Sequence, residues 1–218
     1  MQTSRDFTVH EEGTKMNRRE IVFCPIAAFS SMLPSPAFSR ISCGVFVPPG
    51  VQQCEVGIDG NIASIAAASV GGQHLSQWCW AACIEMIFNY YGFDVPQERV
   101  VQDAWGAVVN LPGQPQQILA SLNRTWTDEN GRNFAVAGDV LSANPITAAQ
   151  DLSQDMPLII GTMGHAMVLS SLVYVRDQFG NGEVLNAIVR DPWPNRGRRS
   201  MSQQEWFSTN FLARIRVW

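Results

Sequence analysis

The period of the hydrophobic pattern changes partway along the chain, and this limits the fold more than any other feature. From about Ser76 or Gln77 to Tyr91 the chain reads as a helix. Ala81, Ile84, Phe88 and Tyr91 recur along one helical face, and Gly92 supplies a left-handed stop. Gln97 to Gly106 and Gln114 to Leu122 read as two further helices, the second with Pro115 tolerated in its first turn. Beyond residue 133 the pattern becomes one of strands and turns. Leu158-Ile159-Ile160 is a short buried strand, residues 165–175 are rich in Val, Leu, Met and Tyr, and Val184 to Arg190 form another strand, stopped by Asp191-Pro192. Asp177, Gly180, Asn181 and Gly182 make the connection between the last two a loop, so the pair is expected to be a hairpin. Helices first and strands after predict an α+β fold, with one more candidate strand at Cys54 to Ile58.

The N-terminus has a different character. Residues 1–15 are polar with mixed charge, and from Met16 the order is that of a secretory signal. Arg18 and Arg19 form a basic stretch, Ile21 to Leu33 an apolar one, and Ala37-Phe38-Ser39 a small-x-small cleavage site. The expected organisation is therefore a leader over 1–39 with the true start at Met16, an extension over 40–72, and the main domain over 73–218. Such a leader implies a secreted or periplasmic protein. In an oxidising compartment Cys43 and Cys54, which flank a Pro-Pro-Gly loop, are candidates for a disulfide. The net charge of −4 gives no electrostatic reason to expect a nucleic-acid partner, and no apolar run reaches the ~18 residues of a membrane span.

Two places in the chain carry chemistry. Cys79 stands at the start of the first helix, where the partial positive charge of the unpaired N–H groups favours an anionic sulfur. The hairpin brings in the second. If Val175 pairs with Glu183, His165 falls opposite residue 193, and Asp191 becomes its diagonal neighbour on the same face of the sheet. A carboxylate there fixes the imidazole's tautomer and stabilises its protonated form.

These residues resemble a known family. Gln73, six positions before Cys79-Trp80-Ala81, looks like the active-site segment of papain-like cysteine peptidases. Gly164-His165-Ala166 followed by an apolar strand resembles their histidine segment. Asp191-Pro192-Trp193 resembles the third position of the triad in compact bacterial branches, notably bacteriocin-leader peptidases and related effector peptidases. The resemblance covers about residues 73–218. It implies a papain-like fold, with a central helix carrying Cys79 packed on an antiparallel sheet carrying His165 and Asp191. It also implies Cys79 as nucleophile, His165 as base, Asp191 as orienting acid, Gln73 as oxyanion donor, and Trp80, Gly164 and Trp193 along the cleft. The substrate it implies is a protein or peptide, and no cofactor is needed. Cys79 and His165 are 86 residues apart, against roughly 130–150 in papain-type enzymes, so loops of the larger members are expected to be missing.

Other readings start from the same residues. Cys79 and Cys83 are one helical turn apart, and with His74 or His165 they would offer zinc ligands, without the second spaced pair that zinc sites usually show. His74 is a rival base by proximity. Trp193 is placed to shield the His165–Asp191 bond, and the loop from Asn195 to Arg199 to select an acidic substrate residue. The same triad also serves acyl transfer or deamidation, and a catalytically dead binding module on this scaffold is the third possibility.

Overall fold

The computed structural model describes residues 41–47, 50–58, 72–141 and 144–218. The expected leader and the small-residue stretch from Ile62 to Val70 lie outside these residues. In chain order the described elements are β1 (Ser42–Cys43), β2 (Val51–Gly57), α1 (Cys79–Tyr90), α2 (Gln97–Trp105), α3 (Pro115–Leu122), β3 (Arg124–Thr127) and β4 (Asn133–Leu141). There follow α4 (Pro145–Ser153), β5 (Leu158–Thr162), β6 (His165–Asp177), β7 (Gly182–Asp191), β8 (Gly197–Ser200), α5 (Gln203–Phe207) and β9 (Thr209–Val217). The fold is α+β, with helices on one large antiparallel sheet. Its strands run β1-β2-β6-β5-β9-β4-β3, and β7 pairs with β6 on one side and β8 on the other.

The helix expected from Ser76 or Gln77 begins at Cys79, because residues 76–77 are taken up in a turn that brings the Trp78 N–H to the Leu75 carbonyl. It is buried on nearly every side. Trp80, Ala81, Ala82, Cys83, Ile84, Met86, Ile87, Phe88 and Tyr90 are all in the core, whereas Cys79, Glu85 and Asn89 reach its edge. Burying each large apolar side chain stabilises the fold by about 1.5–3 kcal/mol. The helix packs on β6 and α2, so its first residue is fixed relative to the strand that carries His165.

The hairpin register follows simple counting at both ends but not in the middle. Val175 pairs with Glu183, and Val168 with Arg190. Between them Leu185 is skipped in β7 and Ser170 in β6, so two bulges cancel. One bulge alone would have turned Asp191 to the other face of the sheet.

Three parts of the sequence reading need correcting. Residues 51–57 are not an appended extension: β2 pairs with β6 along its whole length, Cys54 and Val56 are core residues, and a disulfide joins Cys54 to Cys43 across the β1–β2 pair. The region after 133 also contains two helices. Asn144 caps α4 by accepting from the Ile146 and Thr147 N–H groups ahead of Pro145, and Ser202 and Glu205 form a reciprocal capping box on α5. Finally, Gly197–Ser200 is a strand and not a loop. No described helix is long and apolar enough to cross a membrane.

Candidate active site

Both tryptophans beside Cys79 anchor the start of α1. The Trp78 indole N–H donates to the Val109 carbonyl at 2.8 Å and that of Trp80 to the Leu111 carbonyl at 3.3 Å. Asn110, between those two acceptors, receives the Gln77 N–H and donates to the Ser76 hydroxyl. The helix has no side-chain cap and no acidic residue in its first turn. Its N-terminal field therefore acts on the partly exposed Cys79 without a competing carboxylate.

His165 is set by a turn. Met163 and Gly164 both have positive φ, 49° and 78°, between the paired residues Thr162 and His165. This is the pattern of a two-residue hairpin that matches the twist of its strands. Glycine adopts the conformation freely; methionine does so at a cost in strain. His165 thus projects from the first position of β6, and its Nε2–H donates to Asp191 Oδ1 at 2.7 Å. Asp191 is fully buried at the end of β7. Its Oδ1 also accepts the Trp193 backbone N–H at 2.9 Å, and its Oδ2 accepts Arg199 Nε at 2.7 Å.

The structure therefore places Cys79 and His165 on one cleft, with His165 bonded to the buried Asp191. Burial by itself would lower the proton affinity of His165. The hydrogen bond to Asp191, the interaction with Cys79 and the negative charge of Asp191 outweigh burial and push its pKa up to about 9. Burial would likewise raise that of Asp191, yet the bonds from His165, the Trp193 N–H and Arg199 hold its carboxyl well below the usual carboxylate range. Cys83, one turn along α1, is the opposite case: completely buried, with burial and the nearby Cys79 and Asp191 raising its pKa well above the ordinary thiol value.

The cleft has a volume of about 620 Å³ and is lined by Cys79, Trp80, Gly164, His165, Trp193 and Phe211 among others. Trp193 is about half exposed and stands edge-to-face with the His165 ring, centroids 6.1 Å apart. Gln73 is placed differently from the sequence reading. It is buried, its amide nitrogen donates to the Leu75 and Ser76 carbonyls at 3.0 and 2.9 Å, and its backbone N–H donates to the Pro192 carbonyl. It ties the turn before α1 to the residue beside Asp191. To serve an oxyanion its amide would have to release one of those carbonyls. His74 pairs instead with Glu98 of α2. Among the described residues, no three His, Cys, Asp or Glu side chains are grouped to hold a metal ion.

The sequence reading missed Glu205 and the bond of Arg199 to Asp191. Arg199 lies directly across from Val189, which makes it a diagonal, same-face neighbour of Asp191 by the geometry that joins His165 to Asp191. Once 195–199 is read as a loop, that signal is lost. Arg199 is held by Asp191 and by both oxygens of Glu205, so it is not free for an acidic substrate residue. Arg196 and Arg198 are the arginines of that segment that face solvent, Arg196 lying 3.5 Å from Asp191 Oδ2.

Two tests arise here. Gly113 lies against the face of Trp80, where a Cβ would overlap the indole ring, and the ring is locked by burial and by its bond to Leu111. Gly113→Ala is expected to destabilise the protein by about 1–3 kcal/mol and to narrow the cleft, read as a lower urea midpoint and weaker binding of cleft-directed ligands. The second concerns pH. His165 has a folded pKa above its unfolded value of about 6.5, so its stabilising contribution is complete below pH ~6.5 and is lost as pH rises through about 9. Unfolding free energy should fall across that window, and the slope should shrink in His165→Asn. Equal slopes in the two proteins would contradict the assignment.

No protein-family model matches the chain, and no curated protein sequence matches it. The functional reading rests on the site itself.

Proposed function

We propose that this chain is a papain-like cysteine peptidase that hydrolyses peptide bonds with Cys79, His165 and Asp191. The observation that carries the proposal is His165, bonded to buried Asp191, lining the same open cleft as Cys79. A helix that opens on the cysteine and packs on an antiparallel sheet bearing the other two residues supports the papain-like fold.

In the proposed reaction Nε2 is committed to Asp191, which leaves Nδ1 as the ring nitrogen for the thiol. Nδ1 takes the Cys79 proton and gives a thiolate–imidazolium pair, and the thiolate attacks the substrate carbonyl. The Cys79 backbone N–H serves the oxyanion at the helix N-terminus, joined by Gln73 after its amide turns from Ser76. Each such donor is worth about 2.7–4 kcal/mol. The imidazolium then protonates the leaving amine, and water released onto the thioester by His165 frees the acid and restores the thiol. The Cys43–Cys54 disulfide supports a secreted or periplasmic setting.

The test is mass spectrometry of a peptide library after exposure to the protein, with and without an added primary amine. Hydrolysed peptides that appear equally in both arms support the proposal. Amine conjugates or deamidated side chains without backbone cleavage would replace it with acyl transfer. No change in any peptide, together with no labelling of Cys79 by a thiol-directed electrophile, would leave a binding module.

A further inference from the structure

Beyond Asp191 the row of polar groups continues through the core edge. Arg199 Nε donates to Asp191 Oδ2, while its Nη1 and Nη2 donate to Glu205 Oε2 and Oε1 at 3.0 and 2.6 Å and Nη2 also meets the Met167 sulfur at 3.0 Å. Arg199 and Glu205 are each about one-fifth exposed. Glu205 is itself fixed: its Oε2 accepts the Ser202 N–H in the α5 capping box, and its carbonyl accepts the hydroxyls of Thr162, at the end of β5, and Thr209. Thr162 immediately precedes the turn that presents His165. The frame that holds Glu205 is thus the frame that holds the imidazole.

The other charged or titratable groups facing this row are few. Cys79 and Cys83 face it from α1, Cys83 with its thiol neutral through burial, and Arg196 reaches Asp191 Oδ2 from the β7–β8 turn at 3.5 Å. A surface ion pair would contribute little, but Arg199 sits against a fully buried carboxylate, where charges are poorly screened.

We infer that Arg199 and Glu205 are positioning residues that extend the site into a chain of alternating charge, in which Arg199 fixes the Asp191 carboxylate and draws off part of its charge from His165, and Glu205 counters that effect by neutralising Arg199. The inference concerns the tuning of the site proposed above and rests on that reading for its catalytic meaning. It makes a prediction of opposite signs. Removing the positive charge at 199 strengthens the hold of Asp191 on the imidazolium. Removing the negative charge at 205 leaves Arg199 to act on Asp191 alone and weakens that hold.

The experiment is an NMR titration of the His165 ring in a Cys79→Ala background, without substrate. The chain has three histidines, so the signal is assigned by comparison with His165→Asn. Arg199→Met is expected to move the midpoint up by about half a pH unit or more, and Glu205→Gln, which retains the capping hydrogen bonds, down by a similar amount. Arg199→Lys keeps the charge and should return the midpoint close to that of the parent. Residues that merely support the fold would move both midpoints the same way or not at all, and either result overturns the inference. If Arg199→Met does not fold, Glu205→Gln and Arg199→Lys decide by the same criteria. Because the readout requires no turnover, it can fail while peptide hydrolysis is found, or succeed while hydrolysis is absent.

Discussion

Replacing Cys79 by alanine is expected to abolish peptide hydrolysis, by a factor of about 10⁴ or more, while leaving the unfolding transition almost unchanged. The thiol is only partly buried and stands at the first position of α1, where alanine is at least as good a helix former. What is lost is the cleft-lining thiol that shares its site with His165. Cys83 provides the contrast on the same helix. It is fully buried with its thiol kept neutral, so Cys83→Ala should cost stability through lost packing and leave hydrolysis largely intact. Rates with a cleaved peptide and urea midpoints for both variants check this. Retained hydrolysis in Cys79→Ala would remove the nucleophile from the account.

Asp191→Ala is expected to damage both folding and activity. The carboxylate is completely inaccessible and accepts from His165, the Trp193 N–H and Arg199 at once. Deleting it leaves a partly buried guanidinium and an imidazole facing a void, and breaking a buried pair in this way costs about 3–5 kcal/mol. For a domain of this size that is a fall in Tm of roughly 10 °C. Activity measured below the transition should still fall about 10³-fold or more, because the imidazole loses the group that fixes its tautomer. Asp191→Asn separates the two effects. Its carbonyl can still accept from His165, but its NH₂ group would then face the Arg199 N–H, donor against donor, so it should unfold earlier than the parent and retain more activity than Asp191→Ala. The depressed pKa of Asp191 also sets a sign. Its contribution is present above pH ~4 and lost as pH falls further, so the acid sensitivity of the parent should be reduced in Asp191→Ala.

The central helix and the long hairpin were legible because each is a long segment with one dominant period. Ala81, Ile84 and Phe88 are buried, and Gly92 adopts the positive φ its position required. The juxtaposition of His165 and Asp191 was also legible, but its register survives only because two bulges cancel, which no pattern of residues announced. Helices α4 and α5 were readable in principle. Asn144-Pro145 and Ser202-x-x-Glu205 are start signals, passed over because the surrounding stretch read as strands. The role of Arg199 was hidden for a related reason: a four-residue strand after a Pro-rich turn has too little pattern to fix its register. The bonds of the Gln73 amide to Leu75 and Ser76 depend on the turn ahead of α1, which spacing from Cys79 does not specify.

The account depends most on Cys79 being made nucleophilic by His165, and alkylation measures that without any assumption about substrate. Iodoacetamide should modify Cys79 in the native protein far faster than buried Cys83, with a rate that drops at least about tenfold in His165→Asn. A Cys79 that reacts no faster than an ordinary exposed thiol, or at the same rate with and without His165, would contradict it.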